Sequence, residues 1–171
     1  MNVGTVAVGS TQNLSAELLK SATGLDFRIV PFRNTPDLML SLTRGDVDLM
    51  IDSYSALKSM IDDKQVRALA SSGPTRSPVT PNLPTAAEAG VPGYDVTSWN
   101  AIFAPAGTPA DVIAKMQKAI SDVLAENDIK AKLLELGIEA KALSGAQLAK
   151  RLDDDIVKWG DVITKANIPK N

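Results

Sequence analysis

The chain has 171 residues, of which 44% are hydrophobic and 22% charged, and its formal net charge is −2. That composition is globular, argues against disorder and offers no basic footprint for nucleic acid. With neither cysteine nor histidine, it excludes disulfides, thiolate nucleophiles, imidazole bases and Cys or His metal sites.

A nearly continuous apolar run over residues 3–8 predicts a strand covered on both faces. Gly9-Ser10-Thr11 breaks it. Leu14, Leu18 and Leu19 then recur at helical spacing, with Gly24 as the stop. Residues 27–32 read as a second strand. Thr35-Pro36 opens a second helix, with threonine as N-cap and proline at the first helical position, and Gly45 ends it. Residues 47–51 follow as a third strand, 53–61 as a third helix and 66–70 as a fourth strand. Short connections make this a βαβαβαβ rhythm. It predicts an α/β fold: a three-layer, mostly parallel sheet with helices on both faces.

Residues 71–84 hold Pro74, Pro78, Pro81 and Pro84 and read as an irregular loop. Thr85 and Glu88 have capping-box spacing for a short helix ending at Gly90. Residues 96–104 form an extended run with Trp99 and Phe103. From Pro105 the pattern is purely helical. Thr108-Pro109 starts one helix, Gly137 stops a second, and Ser144 with Gln147 makes another capping box. Leu148, Leu152, Ile156, Trp159 and Ile163 stripe the last helix. The expected division is an α/β lobe over 1–104 and a helical segment over 105–171. No stretch approaches the length needed to span a bilayer, and the first residues lack the features of a signal peptide.

In an open parallel sheet, ligands sit beyond the carboxyl ends of the strands. That rule selects the loops at Gly9-Ser10-Thr11, Arg33-Asn34-Thr35, Asp52-Ser53 and Ser71-Ser72. Three of them precede helices, whose free N–H groups and dipole favour an anion. Rich in hydroxyls and amides, they suit holding a carboxylate better than breaking a bond. The same residue types also serve as ordinary helix caps. Asp153-Asp154-Asp155 points in several directions on a helix and reads as a solvated face rather than a metal site. Asp46 and Asp48 have nothing beside them to support acid–base work. No catalytic residue, cofactor or metal is expected, and a small enzyme is the least favoured reading.

Two stretches carry a resemblance. They are residues 84–99, through Thr85-Ala86-Ala87-Glu88-Ala89-Gly90 and Pro92-Gly93-Tyr94, and residues 103–109, Phe103-Ala104-Pro105-Ala106-Gly107-Thr108-Pro109. With Gly45-Asp46-Val47-Asp48-Leu49-Met50, Arg67-Ala68-Leu69-Ala70 and Arg76-Ser77-Pro78, the chain closely resembles the tripartite tricarboxylate transporter substrate-binding proteins, or Bug receptors. The resemblance implies one lobe of a type II periplasmic-binding-protein fold, namely the second lobe over 2–104. The helices that normally return to the first lobe follow it. It also implies binding of small carboxylates without catalysis, and delivery to a membrane permease.

Family members start with a signal peptide and the first half of lobe one, neither of which is matched here. The implied localisation is therefore periplasmic, or cytoplasmic if Met1 is the native start. The helices of 105–171 would lack their usual partner, and homodimerisation is the expected resolution. Carried over by position, Ser10 and Thr11 match the end of the family's Ser-Gly loop. Thr35 keeps the family's hydroxyl, while Phe32 and Asn34 replace its tyrosine and glycine. Asp52 matches the acid at the end of a strand. Ser10, Thr11 and Thr35 are expected to donate to a ligand carboxylate at helix N-termini. Asp52 is expected to accept from a ligand hydroxyl, an amine or a water. The alternative is a truncated, non-transport interaction module, expected as a homodimer, that has lost the ligand site.

Overall fold

The computed structural model describes residues 1–169. They form two compact units: Met1–Ser98 together with the chain from Ile156 onward, and Trp99–Asp155.

The first unit is built in the order β1 (Asn2–Val6), α1 (Thr11–Thr23), β2 (Arg28–Phe32), α2 (Thr35–Arg44), β3 (Leu49–Met50) and α3 (Tyr54–Asp62). The strands make one parallel sheet in the order β2-β1-β3. Val3 pairs with Ile29 on one side and Leu49 on the other. Alternation along β1 separates the two faces of the sheet. Val3, fully buried, packs with Ala16 of α1 and Phe27, backed by Ile29, Leu49 and Ile51. Gly4 points the other way. A Cβ there would run into Leu38 of α2 and lie 3.3 Å from Val47 Cγ2. Thus α1 covers one face and α2 the other, and the absent side chain of Gly4 is what lets Leu38 sit against β1.

The predicted helix ends form as expected. Gly24 adopts a left-handed conformation (φ 65°) and returns its N–H to Lys20 O, and Gly45 closes α2 in the same way. The cap of α2 differs from expectation. Asn34, not Thr35, accepts the Asp37 N–H at 2.9 Å, and Thr35 is the first helical residue. Asparagine in extended backbone carries its carbonyl one atom further out and reaches that donor.

The fourth strand expected at 66–70 does not form. β3 is two residues long, so its outer edge offers almost no template, and Arg67, Leu69 and Ala70 stay exposed. The chain makes a lone parallel bridge between Ser71 and Thr85 instead. Ser72 then exchanges bonds with Val96, whose N–H donates to Ser72 O at 2.7 Å and whose carbonyl accepts from Ser72 Oγ at 2.8 Å. The Thr85–Glu88 box closes in both directions, at 2.8 and 3.1 Å, yet only a turn follows. Gly90 at φ 99° reverses the chain and Pro92 cannot extend a helix. The Thr85 N–H and the Arg76 guanidinium hold the Glu88 carboxyl below the usual carboxylate range.

This 71–98 segment covers the outer side of α1. Ala86, Tyr94 and Val96 form a buried cluster with Leu18, Leu19, Val91 and Trp159. Trp159 belongs to α6 (Gly145–Lys165), one helical turn before the buried Val162. The α6 stripe is therefore not uniform, since Ile156 remains 61% exposed.

The second unit contains α4 (Ala110–Ala125), α5 (Asn127–Glu135) and the start of α6. α4 begins one residue later than expected. Pro109 flanks it without a side-chain cap, while the Thr108 hydroxyl turns back to Pro105 O at 2.8 Å. The Ser144–Gln147 box at the start of α6 closes reciprocally, at 2.9 and 3.3 Å. α4 buries none of its residues, and Val112, Met116 and Val123 are exposed on it. The aspartate run divides its tasks. Asp154 pairs with Lys150 on the surface, and Asp155 accepts from Trp99 Nε1 at 2.6 Å and Arg151 Nε at 3.1 Å. Among the described residues no helix is long and apolar enough to cross a membrane.

Candidate functional site

Because the three strands run parallel, the loops that leave their carboxyl ends lie along one edge of the sheet. β1 is central and the chain passes first to β2 and later to β3, so the crevice between β1 and β3 is the switch point at which such sheets bind ligands. The loops 7–10, 33–34 and 51–53 meet there, and each one starts a helix.

The first loop is fastened from within. Ser10 caps α1, its hydroxyl accepting the Asn13 N–H at 3.2 Å. Asn13 is buried, takes the Gly9 N–H on its carbonyl at 3.0 Å and donates to the buried Thr5 hydroxyl at 3.4 Å. Gly9 sits at φ 81°, a conformation a side chain would strain. Thr11 is exposed at the first helical position. Helix geometry leaves the first-turn N–H groups of Thr11 and Gln12 without carbonyl partners inside the helix.

Thr35 and Asp52 are brought together by the fold. Thr35 Oγ1 donates to Asp52 Oδ2 at 2.8 Å. Asp52 Oδ1 also accepts from Gln12 Nε2 at 3.0 Å and from the Ser53 N–H at 2.7 Å. The half-buried Asp52 carboxylate thus gathers donors from the first turn of α1, the first residue of α2 and the N-cap position of α3. The Thr35 hydroxyl proton is engaged with Asp52. Sequence reasoning selected the Asp52-Ser53 loop but missed Gln12 and Asn13. For Asn13 a signal existed, since it lies three residues before Ala16 on the face of α1 that meets the sheet. Gln12 carried no comparable sign.

The other candidates lie elsewhere. Asp48 accepts the Asn2 N–H at 2.7 Å, at the opposite end of the sheet. Arg33 is exposed beside Asn34. A groove of about 550 Å³ between α1 and α6 is lined by residues that include Glu17, Lys20, Lys158 and Asp161, and it holds none of Ser10, Thr11, Thr35 or Asp52. The edge of the sheet offers hydroxyls, amides, helix N-termini and one satisfied carboxylate. These are groups that bind an anion through hydrogen bonds.

Residues 1–168 match the family described as tripartite tricarboxylate transporter family receptor. The chain belongs to this family. It is 31% identical over 172 residues to a UPF0065 protein in the tcbD-tcbE intergenic region of Pseudomonas sp. (strain P51), which it matches along 100% of its own length and 51% of the relative's. Among solved structures it resembles R. palustris Rpa4515 with adipate, at 34% identity and a TM-score of 0.82 over 98% of this chain and 56% of that one. It also resembles MatC (Rpa3494) from Rhodopseudomonas palustris with bound malate, at 33% identity and a TM-score of 0.75 over 95% and 56%. The chain therefore spans about half the length of these relatives. Family members are periplasmic substrate-binding receptors and not enzymes, and the expected periplasmic-binding-protein fold agrees with the family's structures.

Proposed function

We propose that this chain carries one half of a receptor site for small carboxylates and serves a tripartite tricarboxylate-type permease in the periplasm. The observation that carries this reading is the convergence of three helix starts at the switch point of a fold shared with receptors bound to adipate and malate. A ligand carboxylate takes the N–H groups of Thr11 and Gln12 and the hydroxyl of Thr11, where the α1 dipole favours negative charge. The Ser10 hydroxyl, which donates to Val6 O at 3.4 Å and accepts the Asn13 N–H, holds the loop. Thr35 and Asp52 form the wall beside it.

Thermal unfolding with adipate, malate, a tricarboxylate and acidic amino acids tests the reading. A ligand at a hundred times its dissociation constant adds about 2.7 kcal/mol, which moves the midpoint by several degrees. A shift from one acid that Thr11→Val reduces supports the half-site. No shift from any of them removes it.

A second reading is an interaction module that pairs with another copy of itself. The exposure of Val112, Met116 and Val123 along α4 favours it. Sedimentation of the chain together with a Met116→Glu variant decides this: a dimer that the charge dissolves supports it, and a monomer at all concentrations ends it.

A further inference from the structure

The geometry points to Asp52 as a positioning residue: its carboxylate latches the three loops at the carboxyl edge of the sheet and does not itself touch the ligand. The inference rests on the carboxylate-receptor reading above and gives Asp52 a role different from the direct contact expected from sequence.

Three observations carry it. A carboxylate has about four lone-pair positions, and three of Asp52's are taken by Gln12, Thr35 and Ser53. Those donors stand at the starts of α1, α2 and α3, so none of the three loops can shift without losing a charge-assisted bond. Finally, a second carboxylate brought against Asp52 meets a like charge, which disfavours contact with an acidic ligand. The latch also spans the sheet. It runs from the end of β3, past central β1, to the helix that follows β2. It thereby fixes how far apart the N–H groups of α1 and the hydroxyl of α2 stand.

Calorimetric titration of the full chain with adipate and with malate tests this, using Asp52→Ala and Asp52→Asn. Asparagine keeps a carbonyl for Ser53 and Gln12 and turns its amide toward the Thr35 oxygen, so it preserves the latch without the charge. The alanine variant is expected to lose about tenfold or more in affinity for both acids, and the asparagine variant to stay within about threefold of the parent. Adipate has no hydroxyl and malate has one. A loss confined to malate, in both variants, makes Asp52 a ligand contact and overturns the proposal. So does an asparagine variant that is as weak as alanine, whereas one that binds both acids more tightly than the parent keeps the latch and reports the like charge removed.

If the parent chain binds neither acid, the receptor reading fails, and the latch is then judged by hydrogen exchange without ligand. Amides in the first turns of α1, α2 and α3 should exchange faster together in Asp52→Ala and remain protected in Asp52→Asn. Acceleration in α3 alone overturns the latch.

Discussion

Thr35 Oγ1 and Asp52 Oδ2 stand 2.8 Å apart, so a residue that opens α2 and a residue that follows β3 share one proton donor across the end of β1. Thr35→Val removes the donor and keeps the shape. Asp52 retains Gln12 and Ser53, so the loss should be that of one hydrogen bond to a charged group, about 1.5–3 kcal/mol. Urea unfolding should show a lower midpoint with an unchanged slope.

Asn34, next to it, does a separate job. Its side chain caps α2 through the Asp37 N–H and also donates to Asp37 Oδ2 at 3.1 Å. Asn34→Ala should cost about 1 kcal/mol. Thr35→Ser keeps the donor to Asp52 and leaves this cap in place, so it should cost much less. If Thr35→Ser proves the worse of the two, the assignment of the cap is wrong.

Gly4 answers to a different constraint. The Cβ of an alanine there meets Leu38, which is fully buried and has nowhere to retreat. Gly4→Ala should destabilise the chain by about 1–3 kcal/mol. Leu38→Ala alone opens a cavity at a cost of about 2–5 kcal/mol. The double variant should be more stable than the sum of the two losses, because each change relieves the other.

Tyr94 sets an alkaline limit. Burial pushes its phenol up to about 12, with the Ser15 hydroxyl opposing this more weakly. The ordinary value near 10 applies to the unfolded chain. Stability from the neutral phenol is complete below pH 10 and is lost as pH rises toward 12, because the unfolded chain releases its proton first. The loss over that window is about 2–3 kcal/mol. Tyr94→Phe should flatten the difference between unfolding free energies measured at pH 9 and pH 11.

Much of this architecture could be read from the chain because its signals are local. Gly24 and Gly45 end helices by allowing left-handed backbone, and Ser144 with Gln147 closes a box within four residues. The fourth strand failed because strand formation depends on a partner edge. Two residues of β3 do not supply one, whatever the apolar content of 66–70. The site was half legible. Ser10, Thr11, Thr35 and Asp52 all lie at the expected edge, but the bond between Gln12 and Asp52 joins positions forty apart, and no spacing rule reaches across that distance. For the same reason the sequence showed Thr35 as a free hydroxyl, whereas the fold gives its proton to Asp52.

The membership of Trp159 in the cluster with Ala86, Tyr94 and Val96 sets an order of events during synthesis. The first unit begins with Met1 but takes its last wall from the chain beyond Ile156. A ribosome releases the sheet and its helices long before that wall. Until Trp159 emerges, the Tyr94 cluster lacks the one member it takes from α6, and the nascent chain is more open to proteases and chaperones. A stop codon at position 156 should therefore destabilise residues 1–98, even though it removes none of them.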